Sequence, residues 1–258
     1  MNLIKTFFKR KDYIIVVTCL TIAILGTLFI IWPLSKEFTA IGGIVPVQEL
    51  GIDGSVNFTY VESGITTNRY EELLVFMHYD DVSFIPLTDE EVYYLEDYYS
   101  DETDEYKEET IENAVVSAFV ESNTYGFSEE FSYRIQEIIE YSEGYYGDSM
   151  GLMSAIGLIE EMNNQDYSKQ GKYIIAGTGT MEVDQTVGSV GAIREKLLTA
   201  SLFNVDYFFI PKDKDYYDDI RISNEVEAER VLKEENLSLN VVPVATLNEA
   251  IHFLENLP

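Results

Sequence analysis

The chain has 258 residues, of which 46 are acidic and 17 basic, giving a formal net charge of -29. Nucleic-acid binding needs clustered Lys and Arg to neutralise phosphates, so this balance argues against DNA or RNA as a partner. Hydrophobic residues at 46% and charged residues at 24% exclude a mainly disordered chain, and the single cysteine, Cys19, excludes an intramolecular disulfide or a Cys-based zinc site.

Residues 13–32 carry no charge. Twenty residues at ~1.5 Å each make a helix of roughly 30 Å, the thickness of a bilayer's hydrocarbon core. Tyr13 and Trp32 bracket the run where amphipathic rings favour the two interfaces, and Lys5, Lys9, Arg10 and Lys11 precede it. The positive-inside tendency then predicts a cytoplasmic N-terminus over 1–12, one transmembrane helix over 13–33, and a single-pass cell-membrane protein with everything beyond Pro33 outside. The alternative is a cleaved signal peptide, although the apolar segment is long for one and no small-x-small site follows closely. Beyond the anchor stand 13 basic and 45 acidic residues, a charge that an anionic lipid surface repels.

Strand-like runs at 55–62, 72–79 and 83–87, rich in Val, Phe, Tyr and Ile, predict a small, mainly β region over 36–88. The segment 89–109 is too densely acidic for a core and reads as a linker or an exposed helix; the central Gly and alternating carboxylates of an EF-hand loop are absent. Over 110–258 helical spacing recurs at 111–120, 129–139, 150–162, 192–203, 225–235 and 247–257, with strand-like runs at 173–176, 205–210 and 239–244. Thr246 with Glu249 forms a capping box and Asn224 with Glu227 a weaker one. This half is predicted to be α/β.

Two residue patterns carry chemistry. Gly147-Asp148-Ser149-Met150-Gly151 precedes an almost wholly apolar helix, where unpaired N–H groups and the helix dipole can stabilise a developing oxyanion. Ser149 is therefore a candidate nucleophile, with a plain N-cap serine as the alternative. GxSxG also matches the nucleophile elbow of α/β-hydrolases, which would recruit His252, but the segment before it is not strand-like and His252 falls within a helix; His78 lies in a strand-like run. Lysine is the other available base when burial leaves it uncharged. On a helix over 192–203, steps of 100° place Lys196 with Ile193, Ala200 and Phe203, and Arg194, Glu195 and Thr199 elsewhere. The alternative is a lysine whose stem packs while its head snorkels to water.

Thr178-Gly179-Thr180-Met181, followed by Val187-Gly188-Ser189-Val190-Gly191-Ala192-Ile193-Arg194-Glu195-Lys196-Leu197-Leu198-Thr199-Ala200, resembles the proteolytic domain of the Lon family, with its TG turn, hairpin and IGG-hydrophobic-KEKLLAA helix start. GDSMG stands at the place of that family's GPSAG. The resemblance runs from about Thr110 to the C-terminus, and with the anchor in front it is greatest to the membrane-anchored Lon-like proteases of Gram-positive bacteria. It implies a Ser-Lys dyad with Ser149 as nucleophile, Lys196 as general base and Thr178 supporting the lysine, and Lon-type domains often form rings. Gly147 and Met150 flank the nucleophile, with backbone N–H groups near Ser149 and Gly147 as the expected oxyanion donors. The sequence departs from the pattern at Asp148 for proline, Met150 for alanine, Ala192 for glycine and Ser189 for proline. No GxxxxGK[ST] phosphate loop is present, and no PDZ-like segment lies between anchor and protease.

The expectation is an α/β, Lon-like proteolytic domain behind one transmembrane helix and a small β region. It would be an ATP-independent serine endopeptidase needing no cofactor or metal, acting on flexible or unfolded extracytoplasmic polypeptides, with homo-oligomers possible by resemblance. The competing expectation is an inactive, membrane-anchored binding module.

Overall fold

The computed structural model describes residues 10–98, 102–122 and 129–258. Lys5 and Lys9 of the N-terminal basic cluster lie outside these residues, as do positions 99–101 of the acidic segment.

Helix α1, Arg10–Ile30, contains an 18-residue stretch, Tyr13–Ile30, with a mean hydropathy of 2.5 and no buried share. It is long and apolar enough to cross a bilayer. Strand β1, Pro33–Pro46, follows almost at once and pairs antiparallel with β2, Asn57–Asn68, with an extra residue in β1 between Ile41 and Gly43. Between them a 3-10 turn, Val47–Leu50, buries Val47 and Leu50.

The run 72–79, expected as a strand, instead falls in helix α2, Arg69–His78, with Tyr79 as its extended C-cap. The Asn68 side chain accepts the Glu71 N–H as an N-cap, and Tyr70, Leu73, Leu74 and Met77 follow helical spacing. The contiguous Leu-Leu-Val-Phe run conceals that period. Strand β3, Ser83–Pro86, then pairs with the other side of β1. The acidic segment forms α3, Asp89–Tyr98, and the start of α4, Glu102–Glu121, with its described carboxylates from Asp89 to Glu109 facing solvent.

Helices α5, Glu129–Tyr141, and α6, Gly151–Asn163, lead to β4, Ile175–Gly177, and to a two-stranded hairpin of β5, Thr180–Met181, and β6, Val187–Gly188. Helix α7, Ile193–Leu202, connects to β7, Tyr207–Pro211; α8, Asn224–Glu234, connects to β8, Asn240–Val244; and α9, Leu247–Glu255, ends the chain. The cap of α8 is Ser223, one residue before the expected Asn224; the Ser223 side chain accepts the Val226 N–H. Thr246 caps α9 by accepting the Glu249 N–H, while the Glu249 carboxylate reaches back to the Ala245 N–H.

One six-stranded sheet in the order β3-β1-β2-β4-β7-β8 joins strands from both sides of the acidic segment. β2, β4, β7 and β8 run parallel, whereas β1 is antiparallel to both its neighbours. Side-chain alternation on β7 divides the core: Phe209 packs with α4, α6 and α9, while Phe208 and Ile210 pack with α7 and α8. Apolar residues on both strand faces therefore encode a layer of helices on each side of the sheet. Helix α6 is buried from Gly151 to Glu160, which explains its near absence of polar residues. Its C-terminal Glu160 is satisfied by the Ser55 N–H and hydroxyl and the Tyr167 N–H, fixing α6 to the turn before β2.

Candidate active site

The segment before α6 is set by its aromatic and glycine residues. Tyr145 meets Phe58 of β2 edge to face at 5.0 Å, and Gly147 then takes a left-handed φ of 80° that turns the chain toward the helix. Met150, not Ser149, is the N-cap of α6, and its side chain makes no capping bond. Ser149 thus stands one residue ahead of the cap, half-buried, and its hydroxyl makes no hydrogen bond among the described residues.

What fixes Ser149 is its backbone. Its carbonyl accepts the Gly179 N–H at 3.0 Å and the Thr178 hydroxyl at 3.3 Å, while Leu152 N–H donates to the Gly179 carbonyl at 3.0 Å. Two glycines permit this close approach. Gly179 has a φ of 152°, and a Cβ there would meet Val187 Cγ1 at 2.5 Å; a Cβ on Gly151 would meet Thr110 Oγ1 at 2.2 Å. The Thr110 hydroxyl is already occupied by the Met181 N–H.

Lys196 reaches the same place from the other side of the sheet. It is 4% exposed, and its Nζ donates to Thr178 Oγ1 at 3.0 Å. Thr178 therefore links the two candidates, accepting from the Lys196 amine and donating to the Ser149 carbonyl. Lys196 Nζ makes no hydrogen bond to Ser149 Oγ. Burial pushes the Lys196 amine down to about 8, against the pull of the Asp148 carboxylate, which favours the charged form. Burial likewise raises the Asp148 carboxyl, which its own backbone N–H and the Lys196 charge draw back. Both groups are thus driven toward neutrality by desolvation, and each partly restores the charge of the other.

The loop leading into α7 is held by a polar network. Asp213, 1% exposed, accepts from the hydroxyls of Ser189 and Ser223 at 2.7 and 2.8 Å and from the Asn224 N–H at 2.8 Å. Asn224 clamps Val190 from both ends, its Oδ1 accepting the Val190 N–H and its Nδ2 donating to the Val190 carbonyl. These bonds over-determine the loop and sustain Ala192 at a φ of 58°, a conformation unfavourable for a residue with a Cβ.

Ser149 and Lys196 line a common cavity of about 1300 Å³, together with Gly147, Asp148 and Met150. Thr178 lies behind its wall, fully buried. The opposite wall is β2 from Phe58 to Ile65. The amphipathic reading of α7 needs correction: Glu195 and Thr199 are buried as well as Lys196, because β1, β2 and α8 all pack on this helix. Glu195 accepts from Ser83 Oγ of β3 at 2.8 Å and is bridged by Arg194. A single 100° wheel could not reveal a helix covered on more than one side.

The histidines are elsewhere. His252 is exposed on α9 beside Asn256, and His78 is exposed at the end of α2 against Tyr79. Neither lines the cavity. The β2 wall pairs with β1, and only its start, at Asn57 and Phe58, meets β4; its place beside Ser149 and Lys196 therefore depends on a strand more than 100 residues away, which the local strand-like run at 55–62 does not encode. Among the described residues no group of three or more His, Cys, Asp or Glu side chains is arranged to hold a metal ion. No protein-family model matches the chain, and no curated protein matches it.

Proposed function

We propose that this chain is a Ser-Lys hydrolase of the Lon-like class, cleaving peptide bonds in flexible or unfolded polypeptides outside the cell membrane that α1 spans. The observation that carries the reading is Lys196: a wholly buried amine, pushed down to about 8 and oriented by Thr178, at a cavity that also receives an unengaged serine hydroxyl. A neutral amine can take the Ser149 proton as the hydroxyl adds to the scissile carbonyl. The protonated amine then returns that proton to the leaving nitrogen, and water repeats the sequence on the acyl-enzyme. Rotation of the two side-chain ends within the cavity must bring Nζ to Oγ, since the resting bond is to Thr178. The chain's own N–H groups around Gly147 and Ser149 would receive the oxyanion.

The test is labelling of the full chain by a fluorophosphonate and cleavage of an unfolded polypeptide. Both should be lost in Ser149→Ala and Lys196→Met; retention of either in Lys196→Met removes the dyad. The second reading, an inactive membrane-anchored binding module, is favoured by the Lys196 bond to Thr178 in place of Ser149 and by Asp148, whose carboxylate stabilises the wrong charge state for a base. It predicts no labelling in the parent chain.

A further inference from the structure

We infer that the open edge of β2 is the strand on which an extended polypeptide docks by backbone pairing, which carries its peptide bond to Ser149. The inference rests on the hydrolase reading for its consequence but on topology for its geometry. β2 pairs with β1 along its length, yet its other side meets β4 only at Asn57 and Phe58. From Thr59 onward no strand among the described residues pairs with that side.

The edge opens because β4 leaves it, and the point of departure is the site. Gly177 is the last residue of β4 on the ladder; the next, Thr178, bonds both Lys196 and the Ser149 carbonyl. A strand placed along β2 after Phe58 would therefore continue the line of β4 into the cavity that holds the candidate dyad. Residues Phe58 to Ile65 line that cavity without a break. At ~3.3 Å per residue they offer roughly 20 Å or more of edge, enough for a segment of about six residues.

The edge is only lightly protected. β2 contains no proline, the extra residue of the hairpin lies in β1 rather than in β2, and Glu62 is the one charged residue between Thr59 and Ile65. A Cβ on Gly42 of β1 would fall 2.2 Å from the Tyr60 carbonyl oxygen, so the polar backbone of Tyr60 faces β1. Strand alternation then turns the N–H and C=O groups of Val61, Ser63 and Ile65 to the open side. Recognition of this kind reads the main chain, tolerates many side chains and requires an unfolded segment.

The experiment uses the full chain in lipid nanodiscs, reduced and carboxymethylated α-lactalbumin as the unfolded polypeptide, and a fluorophosphonate as a small probe of Ser149. Ser63→Pro removes one open-side N–H and leaves the β1 ladder intact. We expect kcat/KM for the polypeptide to fall about tenfold or more, the worth of one or two backbone hydrogen bonds, while fluorophosphonate labelling stays within about twofold. As a second arm that needs no variant, a peptide taken from a cleaved region should lose about tenfold when N-methylated at alternate residues and little at the residues between them. Unchanged cleavage in Ser63→Pro together with tolerance of every N-methylation overturns the inference and leaves the hydrolase reading standing. If neither labelling nor cleavage occurs in the parent chain, the hydrolase reading fails. Docking is then read by the anisotropy of fluorescein-labelled α-lactalbumin, whose binding must be weakened by Ser63→Pro. A change in oligomeric mass in Ser63→Pro with cleavage unaltered would give the edge to a second copy of the chain and likewise overturn the inference.

Discussion

Lys196 is held at a cost to stability that its removal should reveal. Its amine titrates near 8 in the folded chain and near 10.5 when unfolded, so the unfolded state binds the extra proton between those values and stability rises with pH across that window. Below it the penalty is fully present. Lys196→Met should therefore raise Tm at pH 7, by an amount corresponding to on the order of 3 kcal/mol at most, while abolishing cleavage. Differential scanning calorimetry of both chains at pH 7 and pH 10 should show the gain shrinking at the higher pH. Asp148 acts in the opposite sense, since its carboxylate raises the lysine. In Asp148→Asn the kcat/KM rise that accompanies loss of the amine proton should move to lower pH; a profile unmoved or shifted upward would show that the carboxylate does not act on the base. Sequence alone placed Ser149, Thr178 and Lys196 as a set, but only by resemblance. Burial of the amine depends on β1, β2 and α8 arriving from distant parts of the chain, and the Thr178 link is a contact that no spacing encodes.

At the scale of elements, local rules work where the interaction is local. The Thr246 cap of α9 lies within one turn, so it could be read from sequence; Thr246→Ala should destabilise the chain by roughly 1 kcal/mol, measurable as a lower midpoint in urea with an unchanged m-value. Helix α2 shows the opposite case. Its polar side faces the hairpin, with Glu72 paired to Lys36 and Glu71 engaged by Asn68, while Leu73, Leu74, Phe76 and Met77 face outward. A reading that puts apolar residues inside has no means of recognising such a helix, and the unbroken apolar run from Leu73 to Met77 resembles a strand instead. Gly179 illustrates a third kind of constraint. Gly179→Ala should lose stability and fluorophosphonate labelling together, because the added Cβ meets Val187 and displaces the carbonyl clamp on Ser149.

For the molecule as a whole, the sheet is the feature least visible in sequence. The alternation of helices and strands announced an α/β half, and the runs at 55–62 and 83–87 announced strands, yet nothing in either run states that β2 pairs with β4 and closes one continuous sheet. The charge, in contrast, is open to simple counting. The cavity presents Glu37, Glu62, Glu96, Asp148, Glu195 and Glu227 against Arg194 and Lys196, within a chain of net charge -29. A Lys-rich unfolded polypeptide should therefore be cleaved with a kcat/KM that falls several-fold as salt rises from about 0.05 to about 0.5 M, whereas a polypeptide of low charge should change little. Stopped assays at fixed pH would separate the two.

Between α1 and β1 lie only Ile31 and Trp32. Two residues give a short collar rather than a leash: a bilayer-embedded α1 would hold the folded body close to the lipid, with little room to swing away or to sweep a large volume. Hydrolysis by such a molecule would be a matter of geography, restricted to polypeptides that graze the lipid surface, as nascent or damaged neighbours in the same membrane do. Freely diffusing chains farther out would be spared by lack of reach, whatever their sequence.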